Sequence, residues 1–524
     1  MTVLLATTLA ASAAGAVLAT VRWLRVAQRE HYLSGSVARF VGRWWGRDWV
    51  HIAAAAGALG SVVAEGFQGG IGILGAVVVG SGPLGLGVRG RSGRLRWSRR
   101  LGTIATIVAA EYGAAVASAS ALGGLRLAAT VAAAGAIGSP VVVEIALLVD
   151  RPLEWGVARR FVRRAAQRLH RIGPVVVGIT GSYGKTSTKS YAGHLLAGTF
   201  RVVASPRSFN NRAGLARAVN ENLVPGTEVF IAEMGAYGAG EIAEMVSWLA
   251  PSVAAITAIG PVHLERFGSL ERIVAAKSEI LAHAECAVLN VDDERLVRLA
   301  RELEDAGRRV LRCSAVDRRA DVALIQGARG ATLHVAGSVV GEVTLDPGRP
   351  IAPTNVACAA GIAVALGVPL RDVADRLHSL PIVEHRLEVA TSPRGVVVLD
   401  DTFNANPAGT QLALEALRAN ALPGARVVVV TPGMVELGRL QRAANATFAG
   451  EVADVATDLV VVGSTNRRAL LGGVAAARGD RRAGSRGLRV TTVPSRAAAV
   501  AWVRQELHAG DVVLYENDLP DQYP

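Results

Sequence analysis

The sequence predicts an α/β protein in three parts. A helical transmembrane region comes first, then a central α/β domain with a P-loop, then a C-terminal Rossmann-like α/β domain. Three observations predict it. Apolar stretches close to the ~20 residues that cross a bilayer alternate with arginine clusters before residue 150. Residues 175–190, VVVGITGSYGKTSTKS, run from a β-branched stretch through a glycine turn into a helical pattern. Beyond them, short Val/Ile-rich runs recur with helical stretches between, the pattern of a doubly wound sheet.

The bulk properties agree with a membrane-attached chain. The formal net charge is +13 and the mean hydropathy is +0.34. A basic excess suits nucleic acid or an anionic membrane surface. Here the arginines punctuate apolar stretches instead of forming one stripe, so no nucleic-acid partner is expected. Cys286, Cys313 and Cys358 lie far apart with no ligand-like spacing. They fit a reducing compartment and argue against a disulfide framework or a zinc site.

Residues 1–150 hold five candidate spans, at about 2–21, 51–67, 69–87, 102–122 and 127–149. Arg22, Arg25, Arg29, Arg39, Arg43 and Arg47 follow the first. Arginines from Arg89 to Arg100 follow the third, and those from Arg151 to Arg171 follow the fifth. The positive-inside rule then puts the N-terminus outside and everything after residue 150 in the cytoplasm, a multi-pass protein of the cell membrane. The first stretch lacks a basic n-region, so a cleaved signal peptide is not expected. Trp44, Trp45, Trp49 and Trp97 suit the membrane interface, and Glu111 and Glu144 fall inside spans. Residues 151–172 read as a basic amphipathic connector, a helix lying against membrane lipid on the inner leaflet.

The central domain is read as 173–388. A strand, a tight G-S-Y-G-K-T turn and a helix start make a phosphate cradle from Gly181, Gly184, Lys185 and Thr186. Backbone N–H groups and the positive helix end would face phosphates, and a threonine hydroxyl there can hold Mg²⁺. The turn is shorter than the strict GxxxxGK[ST] spacing. Only Lys185, Lys189 and Lys277 are lysines among 56 basic residues, so a lysine beside the glycine turn marks a place where arginine would not serve. Ligands of doubly wound sheets sit beyond the C-terminal strand ends. That singles out Glu233 after VFIA, His263 after AITAIGPV, Lys277 on the following helix, and Asn290, Asp292 and Asp293. Residues 331–346 read as an accessory hairpin, and Lys189 as a surface residue.

The last domain is read as 389–524. VVVLDD, ARVVVVTPG, DLVVVG, LRVTTV and DVVLYEND alternate with helices at 407–420, 437–455 and 495–508.

An ordered series of motifs then resembles the Mur ligases, ATP-dependent amide-forming enzymes of peptidoglycan synthesis, and among them the MurF type. The series is TGSYGKTS at 180–187, SFNN at 208–211, AEMG at 232–235, GEI at 240–242, HLERFGS at 263–269, KSEI at 277–280, LNVDD at 289–293, HRLE at 385–388, DDTFNANP at 400–407 and GMVELG at 433–438. The resemblance implies ATP in the cradle of Gly181, Ser182, Gly184, Lys185, Thr186 and Ser187. It implies Mg²⁺, two ions in all, held by Thr186, Glu233 and His263 and by Lys277, which matches a lysine that is carbamylated in many Mur ligases. Asn355 would contact adenine, Asp400 the ribose and Arg386 phosphate. Asn404 would face the reaction centre with Lys185, His263 and Lys277, and Asn210, Asn211 and Asn406 would meet substrate.

The implied chemistry is activation of a carboxylate as an acyl phosphate and its capture by an amine, giving an amide, ADP and phosphate. The implied partners are a cell-wall precursor acceptor, UDP-linked or lipid-linked, and an amino acid or dipeptide donor. Soluble MurF-type enzymes begin with a small domain that grips a UDP-sugar, where this chain has apolar spans. That leaves two alternatives, a ligase for a membrane- or lipid-linked acceptor outside the standard MurF step and, from another class, an ATP-driven membrane transporter. The absence of an LSGGQ-like signature speaks against the transporter.

Overall fold

The computed structural model describes residues 2–30, 32–45, 49–67, 71–81, 95, 97–206, 208–327, 330–343, 351–383, 387–402, 405–479 and 487–519. The chain forms two compact units, Met1–Arg159 and Arg160–Asp518.

The first unit is helical. It contains α1 (Thr2–Arg29), α2 (Ser36–Trp45), α3 (Trp49–Phe67), α4 (Gly72–Ser81), α5 (Arg99–Ile137) and the start of α6 (Ser139–Ile172). Trp23, Leu24, Leu101, Ile104 and Leu147 are buried in its core. Two of its acids, Glu144 and Asp150, are tied down. Glu144 accepts from the backbone N–H of Gly35 (2.7 Å) and Ala38 (3.0 Å), capping the start of α2. Buried Asp150 accepts from Arg100 at 2.9 Å.

Among the described residues, two helices, α1 and α5, are long and apolar enough to cross a membrane. Of the five expected spans, the last is corrected. α4 covers only Gly72–Ser81 of the span expected at 69–87, and the rest of that stretch lies largely outside the described residues. The span expected at 127–149 is not one helix: α5 ends at Gly138, and Pro140, with no N–H, starts the next one. α5 kinks at Gly123 and Gly124, whose φ/ψ are non-helical, between the spans expected at 102–122 and 127–149.

The connector at 151–172 is helical as expected, and the expectation that it lies on lipid is corrected for its C-terminal part, 162–169. It is the second half of α6, and its apolar stripe meets protein. Val162, Ala165 and Leu169, spaced for one helix face, are buried in the core of the second unit. Arg168 donates twice to the carbonyl of Leu223, at 3.0 and 2.6 Å. Arg160, Arg163, Arg164 and Arg171 are exposed.

The second unit holds two sheets. β1 (Val175–Thr180) leads through a loop to α7 (Lys185–Leu196), followed by β2 (Val202–Ala204), α8 (Arg212–Asn222) and β3 (Val229–Glu233). Next come α9 (Glu241–Leu249), β4 (Val253–Ile256), α10 (Leu264–Phe267), α11 (Leu270–Ser278), β5 (Cys286–Asn290), α12 (Glu294–Asp305) and β6 (Arg309–Ser314). β7 (Val322–Gln326) pairs antiparallel with β8 (Ala331–Val335), and β8 with β9 (Ser338–Val343), the hairpin expected at 331–346. α13 (Pro353–Ala365) and α14 (Leu370–Leu377) complete this lobe.

The order is β2-β3-β1-β4-β5-β6-β7-β8-β9, parallel as far as β7. Both faces are covered. Phe230 of β3 enters one core and its neighbour Ile231 the other, which is why these strands read as unbroken apolar runs. β1 lies between β3 and β4, so the winding direction reverses there and a crevice opens beyond the strand ends.

The second sheet uses β10 (Glu388–Thr391), β11 (Val397–Asp401), α15 (Pro407–Ala419), β12 (Val427–Thr431), α16 (Gln441–Val455), β13 (Asp458–Val462), α17 (Arg467–Gly479), β14 (Arg489–Val493), α18 (Arg496–Glu506) and β15 (Val512–Glu516). Its order is β10-β11-β15-β12-β13-β14, parallel except for β10 against β11. Glu388 already pairs with Asp400, so this lobe starts before the expected boundary at 389. The three cysteines are free and buried.

Candidate active site

The loop between β1 and α7 turns through Gly184, which has φ +78° at the N-cap of α7. A Cβ there would stand 2.1 Å from Asn355 Oδ1, so only glycine fits. Asn355 comes from the first turn of α13, started by Pro353. Ser182 anchors the loop, its N–H donating to the Ala258 carbonyl (2.7 Å) and its hydroxyl to the Gly260 carbonyl (3.0 Å). Lys185 curls over the loop and donates to the carbonyl of Gly181 at 2.6 Å. Ser187 follows on α7, half-buried.

Glu233 ends β3, buried beside that loop. The Thr186 hydroxyl donates to its carboxylate at 3.1–3.2 Å, and Asn210 Nδ2 approaches at 3.4 Å. Lys189 Nζ lies 2.9 Å from Glu233 Oε2, with both side chains almost wholly buried. The expectation that Lys189 is a surface residue is thus wrong. It stands one helical turn after Lys185, which turns it toward β3. Burial works to raise the Glu233 pKa, but Lys189, Lys185 and the hydrogen bonds from Lys189 and Asn210 outweigh it and hold the carboxyl below its ordinary value.

His263 and Lys277 line the same cleft as Gly181, Ser182, Lys185, Asn210, Asn211, Tyr237 and Glu241. His263 has φ +58° and meets Glu436 of the other lobe through Nδ1. The edge of its ring approaches Tyr237 with centroids 4.7 Å apart. Burial pushes its pKa down, and the Glu436 carboxylate opposes that only partly. Lys277 ends α11 almost without exposure. Burial, helped by nearby Lys185, brings its pKa down to about 7, with Glu241 and Glu279 opposing. An amine that sheds its proton near neutrality is a nucleophile, which a solvated lysine is not.

The remaining candidates fall elsewhere. Asn211 caps α8, its Oδ1 accepting from Gly214 N at 2.9 Å. Asn406 caps α15 in the same way through Gly409 N, with Pro407 at the first helical position. Asp400 is the penultimate residue of β11 and accepts from the Thr402 hydroxyl at 2.5 Å. Neither Asp400 nor Asn406 lines the cleft. Arg386 and Asn404 lie outside the described residues.

Two site residues had no role in the reading of the sequence. Lys189 could have been found from the scarcity of lysine, by the argument that singled out Lys185. Glu436 was visible within GMVELG, but nothing local pointed to His263.

The donor set here suits a hard cation. Thr186 supplies a hydroxyl and Glu233 an ionised carboxylate, the oxygen ligands magnesium takes. Among the described residues no three His, Cys, Asp or Glu side chains gather around one point.

The sequence matches two family profiles, the Mur ligase middle domain over residues 179–344 and the Mur ligase, glutamate ligase domain over residues 385–515. It is 34% identical over 365 residues to a UDP-N-acetylmuramoyl-tripeptide–D-alanyl-D-alanine ligase of Mycobacterium bovis, covering 65% of this chain and 70% of that one. The corresponding ligase of Escherichia coli is 29% identical over 327 residues, covering 59% and 71%. Among solved structures, the MurF ligase of Thermotoga maritima in complex with ADP is 26% identical, with a TM-score of 0.57 over 69% of this chain and 80% of that one. A MurF of Acinetobacter baumannii shares the fold, with a TM-score of 0.57 at 23% identity over 69% and 77%.

Proposed function

The chain belongs to the Mur ligase family and is an ATP-dependent peptide ligase of the MurF type, and from that premise we propose its reaction and its site. A carboxylate of a muramoyl-peptide acceptor attacks the γ-phosphorus of ATP. The bond to the bridging oxygen breaks, ADP leaves, and an acyl phosphate forms. The amine of an incoming dipeptide, as in the D-alanyl-D-alanine ligases it is similar to, then attacks the carbonyl. Loss of phosphate and of the amine proton gives the amide.

The observation that carries this reading is the convergence of Lys185, Thr186 with Glu233, His263 and Lys277 at the C-terminal strand ends around β1. Two anions must meet here, a carboxylate and a triphosphate. Lys185, freed from the Gly181 carbonyl, neutralises phosphate oxygens and aligns them. Backbone N–H groups at the start of α7 add to that field. Thr186, Glu233 and His263 would hold one magnesium ion and a carbamylated Lys277 a second. Bound there, the metal supplies charge neutralisation and alignment of the phosphoryl oxygens. The lowered pKa of Lys277 supports carbamylation, since only the neutral amine adds to carbon dioxide. Asn355, Asp400, Arg386 and Asn404 are proposed for the nucleotide and the reaction centre on the family resemblance.

For location we propose that α1 and α5 attach the enzyme to the membrane as part of a multi-pass region, with the ligase lobes on the cytoplasmic side, where ATP is. The test uses full-length protein in detergent with ATP, first with UDP-linked tripeptide and D-alanyl-D-alanine, then with a lipid-linked acceptor. Phosphate release and product masses are followed. A dipeptide adduct on the UDP-linked precursor is expected. An amide on the lipid-linked acceptor alone would move the substrate to the membrane, and phosphate release with no amide would defeat the ligase assignment.

A further inference from the structure

The cleft is built mostly by the lobe around β1, but one contact reaches it from the other lobe. Glu436 stands in the loop 432–438 after β12 and meets His263 Nδ1. We propose that Glu436 is a positioning residue for the cation site: by accepting the Nδ1 hydrogen of His263 it fixes the imidazole with Nε2 as the ligating nitrogen, so the site is complete only when the two lobes are docked. The proposal deepens the ligase reading above and rests on it.

Three observations carry it. His263 lines the cleft together with Lys185 and Lys277. A metal-binding imidazole usually donates its other N–H to a carboxylate, which sets the tautomer and raises ligand basicity. The neutral ring has one N–H to give and one lone pair to keep.

The contact is also held on both sides. Glu436 has φ +64° and His263 φ +58°, left-handed conformations that non-glycine residues seldom adopt. Such conformations persist where the surroundings over-determine them, and they gather at functional sites. Behind Glu436 the surroundings are three buried asparagines. Asn445 both accepts from and donates to the Met434 backbone, at 2.8 and 2.9 Å. Asn466 donates to the carbonyls of Pro432 and Met434 (3.0 Å each), and Asn517 to that of Gly433 (2.7 Å).

Finally, the loop is registered on the segment that carries His263. Glu265 N donates to the Glu436 carbonyl at 3.4 Å. Arg266 approaches Glu436 Oε1 at 3.5 Å and lies over the Tyr237 ring at 4.6 Å. A plain inter-lobe ion pair would need only Glu436 and Arg266. The carboxylate instead sits between Arg266 and the imidazole.

The test measures Mn²⁺ binding to the ADP complex of full-length protein by electron paramagnetic resonance, with amide formation by wild type followed in parallel. Mn²⁺ affinity is expected to fall about tenfold or more in Glu436→Ala and in His263→Ala, the range typical of lost outer-shell partners. The double variant should bind no more weakly than His263→Ala alone, because both act through one imidazole. Glu436→Gln, which keeps the shape of the loop and an acceptor but not the charge, should fall between wild type and Glu436→Ala. Unchanged affinity in Glu436→Ala, or losses that multiply in the double variant, would overturn the role of Glu436 even while wild type makes amide. A wild-type complex that takes up no Mn²⁺ and makes no amide would remove the ligase reading and the proposal together.

Discussion

Beyond the ends of the nine-stranded sheet, charged side chains are buried together: Lys189 against Glu233, with Lys277 and His263 close by. In the six-stranded lobe, the loop after β12 is backed by neutral amides, Asn445, Asn466 and Asn517, each closed on backbone. Both lobes have the same α/β plan, yet their strand ends are built for different tasks. A buried ion pair can exchange partners when a polyanion arrives. An amide held to backbone has no better partner to take, so it keeps a loop in place. One end handles changing charge and the other presents a fixed carboxylate to it.

Substitutions can break this contrast. The largest effect is expected at Lys185, whose change to Ala should lower turnover about a thousandfold, as loss of a main charge-stabilising donor does, with little change in thermal unfolding. Lys189→Met should act on stability as well, by about 3 kcal/mol in denaturant unfolding, because it strands the buried Glu233 carboxylate. If stability held and only turnover fell, the pair would be a catalytic device alone. Asn445→Ala should cost about 2 kcal/mol, since it leaves the buried Met434 N–H unpaired, and no added magnesium should restore activity.

The smallest effect is a pH slope. Between about pH 7 and the ordinary lysine value of 10.5, the unfolded chain holds a proton on Lys277 that the folded chain has released. Stability should therefore rise with pH across that window and level off below it. Thermal unfolding of Lys277→Met should lack this slope, while Asn445→Ala should keep it. An unchanged slope in Lys277→Met would assign it to another group.

Much of this was legible in the residues. The glycine turn, the lysine beside it, and the acid, histidine and lysine beyond neighbouring strands follow from the pattern of a doubly wound sheet. What was not legible depended on partners distant in sequence. Helical periodicity puts Lys189 one turn from Lys185 but does not say that β3 lies against that face. Glu436 meets a histidine 173 residues away, on another lobe. The stripe Val162, Ala165 and Leu169 has the same spacing whether lipid or protein covers it, and here protein does. The break at Gly138 was overridden by the apolarity of the residues around it.

That last helix also has a consequence for the order in which the chain is made. The Leu223 carbonyl that receives Arg168 is 55 residues downstream. During synthesis the second half of α6 leaves the ribosome well before the strands and helices that will cover it. Through that interval its apolar stripe is bare, and the arginines on its other face are what keep it in water. A shortened chain begun at residue 173 would face the converse problem. It would hold a finished ligase core with an open groove where Val162, Ala165 and Leu169 belong, so expression of an isolated ligase should start no later than residue 160.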